Sequence, residues 1–125
     1  MSYNDHIGGL KSSGECWCWG LNSYGDLGDG TITLRSSPVS VIGAHSFVQI
    51  DMTEWSTAGI KSNGSCWTWG RNTSGEIGDS SRTNRSSPVA VVGNHSFTSI
   101  SGGGQYYGGL KSNATLWMWG ENYKW

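Results

Sequence analysis

The sequence predicts an all-β protein, a partial β-propeller of about two and a half four-stranded blades, and three observations predict it. One pattern recurs at intervals of fifty residues: Cys16-Trp17-Cys18-Trp19-Gly20-Leu21-Asn22, Cys66-Trp67-Thr68-Trp69-Gly70-Arg71-Asn72, and Leu116-Trp117-Met118-Trp119-Gly120-Glu121-Asn122. The register on either side never slips. Gly9, Gly59 and Gly109 coincide, as do Lys11, Lys61 and Lys111, and the run Arg35-Ser36-Ser37-Pro38-Val39 returns as Arg85-Ser86-Ser87-Pro88-Val89. Finally, one period holds about four short strands separated by Gly, Asn, Asp and Ser turns, the content of one blade. The chain reads as a single repeat domain, 1–125, with a partial unit at 1–45, a full unit at 46–95 and a partial unit at 96–125.

The elements follow in order. Ile7 to Ser12 leads through Ser13-Gly14 into Glu15 to Gly20, whose strict alternation around two Trp residues reads as the second arm of a hairpin. In the second copy, Asn63-Gly64 is the pair favoured where both turn centres need φ > 0. In the third the turn is Asn113-Ala114. Ala tolerates positive φ poorly, so this hairpin is expected to be distorted or to use another turn type, and to be the least stable of the three. The polar loops Leu21 to Ser37 and Arg71 to Ser87 each carry an apolar anchor, Leu27 or Ile77, between two glycines, which should tuck the loop back onto the sheet. Pro38 and Pro88 are expected to open strands running to Ile42 and Val92. Ser46 to Ile50 and Ser96 to Ile100 supply one more strand each. Strands so counted number three, four and three in the successive units.

Composition excludes several classes. Eight basic residues against nine acidic, spread without runs, give no electrostatic footprint for nucleic acid or an anionic membrane. No stretch has the length of a membrane span, and Met1 to His6 lacks the basic end and apolar core of a secretion signal, so synthesis in the cytoplasm without membrane insertion is expected. Of the three cysteines, Cys16 and Cys18 share one face of a strand with Trp17 and Trp19 on the other. That spacing supplies no four convergent zinc ligands, so the thiols are expected to be free, buried filling of a sheet interface. No cofactor or metal is expected.

The arrangement Gly-Leu-Lys-x-x-Gly, Trp-x-Trp-Gly-x-Asn, Gly-x-Leu-Gly-Asp and Ser-Pro-Val resembles the regulator of chromosome condensation repeat, over nearly the whole chain. The resemblance implies a seven-bladed propeller built from units of this length, a rigid scaffold whose loops bind another macromolecule. The family's best-known member is a nucleotide exchange factor for a small GTPase that also binds chromatin, through loop residues and a basic tail with no counterpart here. A bacterial relative inhibits β-lactamases by covering their active sites. Family members tend to carry a His just before the Gly-Leu segment; His6 fits, while Ser56 and Tyr106 depart.

Residues that recur answer a packing problem common to every blade. On that ground Trp17, Trp19, Trp67, Trp69, Trp117 and Trp119 are structural. Residues that differ between copies are free to serve a partner, which singles out one loop: Asp5 and His6 in the first copy, Glu54 and Trp55 in the second, Gln105, Tyr106 and Tyr107 in the third. The alternative is that Trp55 and Tyr106 pack on adjacent blades. Asp26, Asp29, Glu76 and Asp79 suggest calcium or, more simply, turn carboxylates capping their own backbone. Arg35 and Arg85 are expected to hydrogen-bond loop carbonyls. No phosphate loop, metal-binding His pair or nucleophile elbow is present, so the chain is read as a non-enzyme. An incomplete propeller exposes sheet faces and edges, so the chain is expected to act as a protein-binding structural module that self-associates or joins a larger assembly such as a virion or tail surface. The alternative is a protein regulator, an enzyme inhibitor or exchange factor, acting through its loops.

Overall fold

The computed structural model describes residues 6–120, which form ten strands in three antiparallel sheets. The first sheet orders β1 (His6–Leu10), β2 (Cys16–Gly20) and β3 (Arg35–Ser40). The second holds four, β4 (Gln49–Met52), β5 (Ser56–Ile60), β6 (Cys66–Gly70) and β7 (Arg85–Ala90). The third orders β8 (Ser99–Gly102), β9 (Tyr106–Leu110) and β10 (Leu116–Gly120). The count of three, four and three agrees with the sequence reading. The sheets are propeller blades side by side, with β4 and β8 adjacent: the Gln49 side chain donates to the Ile100 carbonyl at 3.2 Å, and Gly102 N–H donates to Asp51 at 2.8 Å.

Two strand limits differ from the sequence reading. β3 and β7 begin at Arg35 and Arg85 rather than at the prolines. Pro38 and Pro88 fall where the pairing slips, between Cys18/Gly20 and Thr68/Gly70, so their missing N–H groups sit at irregularities on an outer strand. β4 and β8 begin three residues later than expected, because Ser46 to Val48 and their equivalents first cross from one blade to the next. In that crossing Phe47 N–H donates to the Gly14 carbonyl at 2.9 Å and Val48 N–H to the Ile60 carbonyl at 2.8 Å.

The hairpin turns also differ. Gly64 N–H donates to Lys61 carbonyl at 2.8 Å and Lys61 N–H to Ser65 carbonyl at 3.0 Å, and of the turn residues Gly64 alone has positive φ, +85°. This is a three-residue loop ending in a left-handed residue, not the two-residue turn that Asn63-Gly64 suggests. Asn63 instead accepts hydrogen bonds from the Ser65 N–H and hydroxyl. The third hairpin is neither distorted nor of another type: Ala114 adopts φ +68° and keeps both hydrogen bonds at 3.0 Å. The surrounding ladder holds Ala in a region that costs an L-residue about 1 kcal/mol. Ala114→Gly should therefore raise the unfolding midpoint in urea, by about 1 kcal/mol of stability, while Gly64→Ala should lower it.

Side-chain alternation explains how blades join. Trp69 and Trp67 on β6 face the first sheet, where Trp69 is buried with Cys16, Cys18, Leu27 and Phe47. Cys66, on the opposite face, joins Ala58, Ile60, Phe97, Ile100 and Tyr107 against Trp119 of the third sheet. One core therefore lies in each of the two gaps between sheets. The cysteines are free and buried, as the sequence reading expects. Cys16 and Cys18 lie 3.7 Å apart in a thiol hydrogen bond that, with burial, pushes the Cys18 thiol well above its ordinary range. Burial alone pushes Cys66 up to about 12.

Leu27 and Ile77 are fully buried, so the anchors do staple the long loops to the sheets. Each loop closes around one Asn. The Asn22 side-chain amide donates to Thr31 and Thr33 carbonyls, both at 3.0 Å, and its oxygen accepts Leu27 N–H at 2.9 Å; Asn72 repeats the pattern with Ser81, Thr83 and Ile77. Asp29 and Asp79 cap their own backbone through the N–H groups of Thr31 and Ser81. Arg35 and Arg85 bind these carboxylates at 3.0 and 2.8 Å rather than the expected carbonyls. Burial would raise the Asp29 carboxyl, but hydrogen bonds from Thr31, Arg35 and Asn22 hold it below the usual range.

Candidate protein-interaction surface

The loops at one end of the blades bring together residues that the repeat leaves free to vary. Thr53-Glu54-Trp55 joins β4 to β5, and Gly103-Gly104-Gln105 joins β8 to β9. The tight turns are fixed by Thr53 N–H to Ser56 carbonyl at 3.0 Å and Gly103 N–H to Tyr106 carbonyl at 2.9 Å. The backbone leaving β6 docks beside them, with Arg71 N–H donating to the Trp55 carbonyl at 2.9 Å. Gly70 allows this approach: its φ is +115°, and a Cβ there would meet the Trp55 carbonyl oxygen at 2.6 Å.

On this frame Trp55 is half-buried. The Arg71 guanidinium carbon lies 4.9 Å from its ring centre, and the Tyr24 ring meets it edge-on at 6.1 Å. Arg71 also donates to Glu76 at 3.2 Å and to the Gln105 side chain. Tyr24, Trp55, Arg71 and Gln105 thus form a continuous polar-aromatic strip across all three sheets. Glu54 is exposed beside it, and Tyr106 is 38% exposed on the third sheet. Trp55 combines both sequence readings, since it packs against a neighbouring blade's Tyr24 and still presents surface.

Two of the proposed contact residues do not lie on this surface. Tyr107 is fully buried, its hydroxyl paired with Ser56 at 2.8 Å, and burial raises its pKa. His6 is buried as well, with Nε2 2.7 Å from the Thr57 hydroxyl and Nδ1 3.7 Å from Asp26. Both begin or follow the first residue of an inner hairpin strand, where alternation turns one side chain into the gap between blades. Asp5 lies outside the described residues. Conversely, sequence reasoning missed Tyr24 and Arg71. Both vary between copies, against Ser74 and against Leu21, so the rule that selected Trp55 would have found them in the loop after the Trp pair.

The buried carboxylates at one repeat position are treated differently. Glu76 pairs with Arg71, but Leu21 stands at the corresponding place in the first unit, so Asp26 has no guanidinium. Its one oxygen accepts Tyr24 N–H at 3.1 Å while burial pushes its pKa up to about 7. Among the described residues no group of three or more His, Cys, Asp or Glu side chains is placed to hold a metal ion. No helix of the described residues is long and apolar enough to cross a membrane.

Comparison with known proteins agrees with this geometry. The family model described as "Regulator of chromosome condensation (RCC1) repeat" matches residues 13–59 and 63–108. Among solved structures, the chain is similar to human WBSCR16, at 20% identity and a TM-score of 0.85 over 93% of this chain and 31% of that one. It is similar to yeast RCC1 (Prp20) in a crystal structure with Kap60, at 18% identity and TM-score 0.76, covering 93% and 30%. Prp20p from Saccharomyces cerevisiae, which has binding properties toward Gsp1p and histones, matches at 19% identity and TM-score 0.74, covering 93% and 31%. The chain thus spans about a third of the length of these structures. No curated protein matches it in sequence.

Proposed function

From the premise that this chain belongs to the regulator of chromosome condensation (RCC1) repeat family, we propose that it is a non-enzymatic module that binds a protein partner through the loop surface centred on Trp55. The observation that carries this reading is the strip of Tyr24, Trp55, Arg71 and Gln105. A half-buried Trp held between an Arg and a Tyr is a rigid anchor that loses little freedom on docking, and such residues dominate interfaces. That the similar yeast propeller binds Kap60, Gsp1p and histones supports a protein rather than a small molecule as the ligand. The reading extends to a role within an assembly, as an oligomer subunit or a component of a larger particle such as a virion or tail surface. It is supported by the outer face of the third sheet, where Leu116 and Met118 are 64% and 62% exposed. A regulator that inhibits an enzyme or exchanges nucleotide on a GTPase would use the same loops.

The test is a pair of variants. Replacing Tyr24, Trp55 and Tyr106 together with Ala should leave the circular dichroism and oligomeric mass unchanged while lowering capture of a protein partner at least about tenfold. Leu116→Asp with Met118→Asp should do the opposite if assembly uses the third sheet. Unaltered partner capture by the triple variant would remove the loop surface from consideration.

A further inference from the structure

The gap between the first two blades is lined with sulfur in a way that the gap between the second and third is not. Alternation along β2 turns Cys16 and Cys18 the same way, into that gap, where both are buried and their Sγ atoms lie 3.7 Å apart. Met52, at the end of β4, reaches the same spot from the second sheet. A Cβ on Gly8, the β1 residue paired with Cys18, would stand 2.9 Å from the Met52 methyl and 3.3 Å from Cys18 Sγ. Three sulfur-bearing side chains therefore converge where Gly8 leaves room for them.

The repeat separates what packing requires here from what it does not. Cys16 returns as Cys66 at the same place on the next blade, so a thiol there belongs to the common core. The other three positions change together: Gly8, Cys18 and Met52 are matched by Ala58, Thr68 and Gly102. The second gap thus closes with the Ala58 methyl, and the Thr68 hydroxyl donates to the Ile77 carbonyl. The first gap forgoes both the methyl and the hydroxyl, and in their place it brings a second thiol and a thioether.

A soft, singly charged ion suits this set of ligands. Thiolate and thioether sulfur select copper(I) over harder ions. Zinc wants four nitrogen, thiolate or carboxylate ligands, and among the described residues no third His, Cys, Asp or Glu side chain joins the pair. The spacing fits as well, since two metal–sulfur bonds of about 2.3 Å, at angles between tetrahedral and trigonal, set the sulfurs about 3.8–4.0 Å apart. Burial keeps the Cys18 thiol protonated, but a bound metal ion deprotonates a coordinating thiol outright.

We propose that Cys16, Cys18 and Met52 form a site for a soft monovalent metal ion such as copper(I), held by the two thiolates with the Met52 thioether as a third, weaker ligand. Each thiol releases its proton to water as its sulfur takes the ion, and no electron is transferred. Bound there, the ion ties β2 of the first blade to β4 of the second and stabilises the folded chain. The site uses none of Tyr24, Trp55, Arg71 and Gln105, so it stands or falls independently of the loop surface.

The probe is copper(I) alone, titrated without oxygen into the reduced full chain in competition with a coloured copper(I) chelator. Uptake of one ion per chain is expected, with a thiolate-to-copper absorption band in the ultraviolet and a raised unfolding midpoint. Cys18→Thr, which copies the second gap, should fold and lose at least about a hundredfold in affinity, the upper end of what residues that only support a ligand cost. Met52→Leu, which keeps the apolar volume without the thioether, should lose about tenfold. Cys66→Ala should bind like the unaltered chain. If Cys18→Thr fails to fold, Met52→Leu and Cys66→Ala still decide. No uptake against the chelator, affinity indifferent to either Cys18→Thr or Met52→Leu, or a loss in Cys66→Ala as large as in Cys18→Thr overturns the proposal. Equally tight uptake of zinc(II) overturns it too, because the site would then not select a soft ion.

Discussion

Trp69→Ala should destabilise the protein by about 3–5 kcal/mol, whereas Trp19→Ala, at the same repeat position, should cost only about 1 kcal/mol. Trp69 is fully buried, fills the gap between the first two blades, and lies against Phe47, Cys16, Cys18 and Leu27. Gly28 packs so near it that a Cβ there would come within 2.7 Å of the indole nitrogen. Truncation leaves a cavity that two stiff sheets cannot close, and the loss is a large fraction of the stability of a domain of this size. Trp19 occupies the equivalent site on a sheet with no blade beyond it among the described residues and is only half-buried, so its removal forfeits less packing and leaves no enclosed cavity. Urea unfolding followed by far-ultraviolet circular dichroism separates the two. Equal losses would mean that both gaps are filled in solution, and so that the first sheet has a neighbour.

Asp26→Asn should stabilise the protein at neutral and alkaline pH and have little effect in acid. The carboxyl is pushed from 3.8 to about 7 by burial, so the folded chain holds its proton more tightly than the unfolded chain does. For an acid with a raised pKa the sign runs against the usual one. Its contribution is fully present below about pH 4 and is lost as pH rises through about 7. The amide keeps the oxygen that accepts Tyr24 N–H without ever ionising. A shift of this size corresponds to as much as about 4 kcal/mol between the two proteins above pH 7. Unfolding midpoints measured from pH 4 to pH 8 should diverge for the two chains, and parallel curves would place a charge on Asp26 throughout. Leu21→Arg, which copies the Arg71–Glu76 arrangement into the first unit, should reduce the pH dependence by giving Asp26 a cation.

Much of the molecule is legible in the sequence because a repeat states the same packing solution more than once. The fifty-residue period, the alternating Trp pair, the anchors Leu27 and Ile77, and the strand count of three, four and three all follow from local pattern, which depends only on backbone periodicity and turn chemistry. Trp55 was legible as well, as an aromatic that the repeat does not require. The hairpin turns were misread, since Asn63-Gly64 suits a two-residue turn in isolation but the strand register imposes a three-residue loop, and that register forces Ala114 into the same shape.

What only the tertiary structure decided is how one blade meets the next. Several polar links between sheets join residues 51 apart, one more than the period: His6 with Thr57, Gln49 with Ile100, Ser56 with Tyr107. A repeat identifies equivalent positions, but the offset between neighbouring blades depends on how the strands stagger in space. That offset takes His6 and Tyr107 off the surface and into the gaps. A period fixes what each blade presents, and only its neighbours determine what is covered.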